Sequence, residues 1–113
     1  MNAAVYNISP RRNSDFFLGE PMRLKDSDMN PINLTGFTLL AQVYDLSGTI
    51  KLADFTIIMD DVVNGILRPK LPYTVTAALP NECLYDFLVI DPAGLRRYYL
   101  TGTCTPTLGI TKP

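Results

Sequence analysis

Histidine and tryptophan are both missing from this 113-residue chain. The first absence has the larger consequence. Without His there is no Ser–His or Cys–His nucleophile couple and no His-ligated metal site. Cysteine is nearly as scarce. Cys83 and Cys104 are the only two, too few for a disulfide scaffold or a four-cysteine zinc site. Charge is thin and balanced, with ten Lys and Arg against eleven Asp and Glu. Nucleic-acid binders are normally basic, so no nucleic-acid partner is expected. Long hydrophobic runs are absent too. The longest apolar stretch, residues 38–44, is interrupted by Gln42 and is far short of a membrane span, so no membrane partner is expected. The first residues have no basic head followed by an apolar run, so no signal peptide is visible. The sequons at Asn7 and Asn33 are accordingly read as chance matches. No glycine-rich phosphate loop, nucleophile elbow or Cys-x-x-Cys occurs, and no cofactor or metal is expected.

What is present is apolar and strand-like. Hydrophobic residues make up 47% of the chain against 19% charged, which rules out a wholly disordered chain. Nine Pro and seven Gly are spread evenly along it. They set the turn spacing of a sandwich of short strands. No segment keeps an apolar period near 3.6 for three turns. Strands are predicted over 15–18 and 21–25, the latter with Met22 and Leu24 on one face. In 37–45, Phe37, Leu39, Ala41 and Val43 should face the core. Phe55, Ile57 and Met59 form another alternating set, followed by 66–70. Segments 83–91 and 95–103 form the clearest hairpin, across Asp91-Pro92-Ala93-Gly94. One helical turn is predicted near 74–79, ended by Pro80 and crossing between sheets. The expected fold is an all-β, antiparallel sandwich of seven or eight strands with one short helical turn. Residues 1–14 read as an N-terminal arm, 15–105 as the sandwich and 106–113 as a C-terminal tail.

Candidate chemistry is sparse. Asp26-x-Asp28-x-Asn30 opens like a calcium loop, but Pro31 and Phe37 stand where Gly and Glu are required. Asp60 and Asp61 are adjacent on a strand and point to opposite faces. If Asp91 pairs with Leu95, the two cysteines fall one residue out of register. They would then face apart as free thiols unless a bulge intervenes. In Arg96-Arg97-Tyr98-Tyr99, one Arg and one Tyr go to each face, and Arg96 with Tyr98 is the pair expected at a partner interface. The arm carries Val5, Tyr6 and Ile8 ahead of Arg11 and Arg12. It cannot bury those apolar side chains alone, so a neighbour is expected to hold it, by adding it as a strand to a sheet edge. On that reading, deleting 1–14 leaves the sandwich folded. The alternative is that the arm folds back on its own sandwich.

The order of these signals resembles a known group. Asp15-Phe16-Phe17-x-Gly19, then Leu24-Lys25-Asp26, then Pro31-Ile32-Asn33-Leu34-Thr35-Gly36 resembles the opening of small tailed-phage virion domains. Leu79-Pro80 before Tyr85-Asp86-Phe87, followed by Asp91-x-x-Gly94, Arg97 and Leu100-x-Gly102, resembles their closing hairpin. The nearest family is the N-terminal domain of phage upper baseplate proteins, over roughly residues 15–111. Asn33 departs from the Asp more common in that turn. The resemblance implies an immunoglobulin-like sandwich in a non-enzymatic virion protein, assembled in the bacterial host cytoplasm. It would pack against other virion proteins in a symmetric assembly, in the tail, baseplate or fibre-attachment region. A capsid decoration protein is the alternative placement. A small-molecule-binding module is a further alternative, although no small-molecule substrate is expected.

Overall fold

The computed structural model describes residues 4–19 and 21–109. Nine strands and one short helix are formed by these residues: β1 (Ala4–Val5), β2 (Phe16–Phe17), β3 (Met22–Arg23), β4 (Thr38–Asp45), β5 (Lys51–Asp54), β6 (Thr56–Asp61), β7 (Ile66–Leu71), α1 (Tyr73–Ala78), β8 (Cys83–Ile90) and β9 (Arg96–Cys104). They make an all-β sandwich. One sheet has the order β1-β9-β8-β4-β5, and the other is built on β7. Helix α1 carries the chain between the sheets, as its residues predict. The Tyr73 N–H donates to the Asp15 carboxylate (2.9 Å), and the buried Thr76 hydroxyl donates to the Ser14 carbonyl (2.9 Å). Pro80 then forces Leu79 into extended backbone (ψ 144°) and ends the helix. Strand β5 was not expected, because Lys51–Asp54 is mostly exposed and does not alternate. The chain passes from β5 to β6 at Phe55, whose N–H donates to the Ala41 carbonyl (2.8 Å) while its ring enters the core.

Proline placement explains the second sheet. β6 pairs along one side of β7, and β2 and β3 lie in series along the other. Pro69 sits in the middle of β7. Its carbonyl accepts the Leu18 N–H (2.8 Å), so its nitrogen faces the same edge and has no hydrogen to return. The edge strand breaks there, at Leu18-Gly19, and resumes at Met22 shifted in register.

The predicted hairpin is present, with one correction. The Asp91 N–H donates to the Leu95 carbonyl (3.0 Å), and Gly94 takes φ 89°, so the turn forms as read. A bulge then inserts Tyr99, and past it the register moves by one residue. Cys83 and Cys104 therefore lie directly opposite each other, both fully buried. They are free thiols, the Cys83 S–H donating to the Cys104 carbonyl (3.1 Å). Tyr99, next after the outward Tyr98, faces inward and its ring meets Phe87 at 6.2 Å, and the extra residue brings Leu100 opposite Phe87 as well. The core lies between the sheets. Ala41, Val43, Tyr85 and Phe87 from the first sheet meet Leu18, Met22, Leu67 and Leu71.

The N-terminal segment does not extend from the domain as an arm. Residues 4–12 run parallel to β9 and its continuation. Five backbone hydrogen bonds of 2.9 Å join them: Tyr6 N–H to Thr101, Ile8 N–H to Thr103, Thr105 N–H to Ile8, Thr107 N–H to Pro10 and Arg12 N–H to Thr107. Ile8 is 3% exposed and belongs to the core. The apolar side chains that the isolated segment could not bury are thus partly buried by its own sandwich. Two glycines allow the approach. A Cβ at Gly102 would collide with the Tyr6 carbonyl, and one at Gly109 with the Arg12 carbonyl. Gly102→Ala is expected to destabilise the domain by about 1–3 kcal/mol, the usual cost of overpacking. Denaturant unfolding of the variant checks this, and the change should fall in the midpoint.

Candidate interaction face

The outer faces of the two sheets differ in how their side chains are used. On the second sheet, the Arg68 guanidinium bonds both Asp60 oxygens (2.8 and 3.1 Å) and lies 5.3 Å from the Phe17 ring centroid. Lys70 lies 5.8 Å from the same ring and 3.9 Å from the Asp15 carboxylate. Arg68 and Lys70 are thus engaged and the Phe17 ring is covered, while Arg23 of β3 stays exposed on the same face. On the first sheet, strand alternation sends Leu40, Gln42 and Tyr44 of β4 outward, with Leu84, Asp86 and Leu88 of β8 beside them. Tyr98, Thr101 and Thr103 of β9 continue the face, and Val5 and Asn7 close it at the strand-paired N-terminus. Together these residues form a shallow trough of about 540 Å³. Val5 is 74% exposed, Tyr98 53% and Leu40 40%. Leu and Tyr side chains are thus gathered, with a few polar ones between them, on an outer face where a solvated sheet would be polar.

A carboxylate sits near the middle of the face. The strand register aligns Asp54, Gln42, Asp86 and Thr101 in a row across four strands. Asp54 is paired with Lys51 at 3.1 Å. Asp86 has no hydrogen bond or ion pair to any described residue. Burial among its neighbours pushes its carboxyl above the ordinary 3.8. It is half-buried, acidic and unpaired, with Leu84 and Leu88 on either side.

The residues singled out from sequence separate into two groups. Val5 and Tyr98 both line the trough. Arg96 lies two residues before Tyr98 on the same strand, opposite Ile90, and so shares this face. It is exposed and pairs with no described residue. The others serve the fold. The Tyr6 carbonyl accepts a short hydrogen bond from the Tyr85 hydroxyl. Burial, with smaller contributions from Tyr6 and Cys104, keeps that phenol protonated far above its usual range. Ile8 is core, and Arg11 bridges to Thr107. Arg12 is half-buried and anchors the segment. Its guanidinium donates to the Leu79 carbonyl and to the Asn81 side-chain oxygen (3.0 Å), tying the segment to the end of α1. Sequence reading passed over Asp86 and Leu88. The available signal was the outward set of the two long strands, in which Leu and Tyr stand where a solvated face would be polar.

A second concavity, of about 810 Å³, lies between residues 24–33 and the β8–β9 hairpin end. Phe37, Ile32, Tyr99, Lys25 and Arg97 line it. Its two carboxylates are engaged in turns: Asp26 accepts the N–H groups of Asp28 and Asn30 (both 2.9 Å), and Asp91 accepts that of Leu95 (2.8 Å). Among the described residues no cluster of three or more metal-ligating side chains forms, and no helix is long and apolar enough to cross a membrane. No protein-family model matches this sequence, and no curated protein matches it.

The Asp86 environment makes a signed prediction. Its folded-state pKa is raised above the unfolded value near 3.9, so the folded state binds more protons between the two values. Stability contributed by this group therefore falls as pH rises through that window. Asp86→Asn should melt slightly above the wild type near pH 7. The difference should shrink as pH is lowered toward the unfolded carboxylate value, which thermal unfolding across a pH series measures.

Proposed function

We propose that the protein is a non-enzymatic structural component of a tailed-bacteriophage particle, packing against other virion proteins in the tail, baseplate or fibre-attachment region. The observation that carries the packing role is the set of exposed Val, Leu and Tyr side chains on the outer face of the five-stranded sheet, set on a small sandwich. On the opposite sheet Arg68 and Lys70 are matched internally, and recognition is assigned to the side that exposes Leu and Tyr side chains. Placement in a phage tail rests on the run of strand and turn segments over 15–111 that resembles upper-baseplate N-terminal domains, with an immunoglobulin-like topology as the finer reading. The near-neutral chain gains little from long-range steering. Apolar and hydrogen-bonding contact is then what drives assembly.

Leu88 is half-buried at the middle of the face. Leu88→Arg places a charge there without entering the core. The variant is expected to keep its fold by circular dichroism and to lose at least tenfold in incorporation, assayed in purified particles by quantitative immunoblot. Electron microscopy of labelled particles should find the wild type on the tail axis in a few to a few dozen copies. Wild-type levels of the variant in particles, or no protein in any virion fraction, would overturn the proposal. Hundreds of copies on the capsid shell would replace the tail placement with a decoration role.

A further inference from the structure

The outer face of the five-stranded sheet carries two opposite charges that the described residues leave unmatched. Asp86 lies on β8 and Arg96 on β9, opposite Ile90. They are separated by four residues along the strand, roughly 13 Å, and by one strand spacing, about 4.8 Å. At that distance they do not pair within one molecule. Between them lie Leu88 and its registered neighbours, Leu40 on β4 and Tyr98 on β9. The face thus has an acidic point, an apolar centre and a basic point in line.

Such a face is complementary to itself. Turning a copy over about a two-fold axis in the plane of the face, through the midpoint between the two charges, exchanges their positions. The axis passes close to Leu88 and Tyr98. We propose that a second copy of this chain covers this face in an isologous two-fold dimer. Asp86 of each copy meets Arg96 of the other, and the Leu88 and Tyr98 side chains pack at the axis. The inference rests on reading this face as the packing surface and names its first occupant.

The chemistry of the pair is suitable. A guanidinium presents several N–H donors in one plane and bonds a carboxylate with two of them. Gln42 and Thr101, flanking Asp86 in register, offer further acceptors for the same group. Contact would also give the half-buried carboxylate the partner that no described residue of its own chain supplies. Size sets the strength. Three strands of eight or nine residues, flanked by the shorter β1 and β5, make a face of roughly 500 Å² at about 3.3 Å per residue and 4.8 Å between strands. Two such faces bury on the order of 1,000 Å², below the standard size and in the class of weak, transient interfaces. A weak dimer, populated toward the upper end of the micromolar range, is expected.

Charge reversal tests this with the full-length chain. Sedimentation velocity from about 1 to 500 µM should show concentration-dependent dimerisation of the wild type. Asp86→Arg and Arg96→Asp, each alone, should sediment as monomers, because each homodimer would carry two like-charge pairs. Mixing the two variants should restore a dimer, since every facing pair is then opposite in charge. Arg96 is exposed near the hairpin end, so Arg96→Asp keeps the test open should Asp86→Arg fail to fold. A wild type monomeric throughout the range, either variant dimerising like the wild type, or no dimer in a mixture of folded variants would overturn the inference. If the wild type stays monomeric while Leu88→Arg still loses incorporation into particles, self-pairing fails and the packing role stands.

Discussion

Nearly every other feature of the domain depends on the parallel pairing of residues 4–12 with β9 and its continuation. β9 is a long strand with β8 on one side, and without the N-terminal segment its other edge would present a row of unpaired backbone groups. The segment covers that edge with five hydrogen bonds and seats Ile8 in the core. Both of its ends are then fixed by side chains. The buried Tyr85 phenol donates to the Tyr6 carbonyl, and the Arg12 guanidinium reaches the carbonyl that ends α1. At Asn13 the backbone turns through positive φ (64°) and enters β2 in the opposite sheet. One continuous segment therefore links an edge of the first sheet, the helix connection and the start of the second.

The same closure shapes the outer face of the first sheet. Val5 reaches the rim of the trough only because β1 is in parallel register with Leu100 and Thr101. The bulge at Tyr99 contributes from the other side of the strand. It lets Tyr99 and Leu100 share the place opposite Phe87, and so sends Thr101 and Thr103 outward beside Arg96 and Tyr98. Two irregularities, a bulge and a strapped terminus, thus complete this outer surface. On the second sheet Arg68 and Lys70 are engaged by Asp60, Asp15 and the Phe17 ring, and Arg23 of β3 stays exposed.

Much of the fold was legible because local signals and burial agree. Alternation marked β4 with the correct face inward, and Asp91-Pro92-Ala93-Gly94 fixed the hairpin of β8 and β9. What escaped was set by pairing at long range. Lys51–Asp54 has little strand signal of its own and is held by its ladder to β4. The bulge at Tyr99 cannot be read from a two-residue period, so the cysteines were placed one residue out of register. Residues 4–12 read as an arm because a parallel edge strand shows no hairpin signal. Only Gly102 and Gly109, nearly 100 residues away, hint that a backbone must pass close by. Of the candidate face, Arg96 and Tyr98 were legible from composition. Asp86 was not, since a single acid among apolar neighbours on a strand becomes notable only once its lack of a partner is seen.

Thermal unfolding of the full chain beside a chain beginning at residue 15 tests the account most directly. Removing the segment takes away a buried Ile, five edge hydrogen bonds and the Arg12 anchor. Loss of the buried Ile side chain alone costs about 2–5 kcal/mol. A fall in melting temperature of at least about 10 °C is therefore expected, at roughly 4–8 °C per kcal/mol for a domain of this size. A truncated chain that melts cooperatively within a degree or two of the full one would contradict it, and would make residues 1–14 an arm after all.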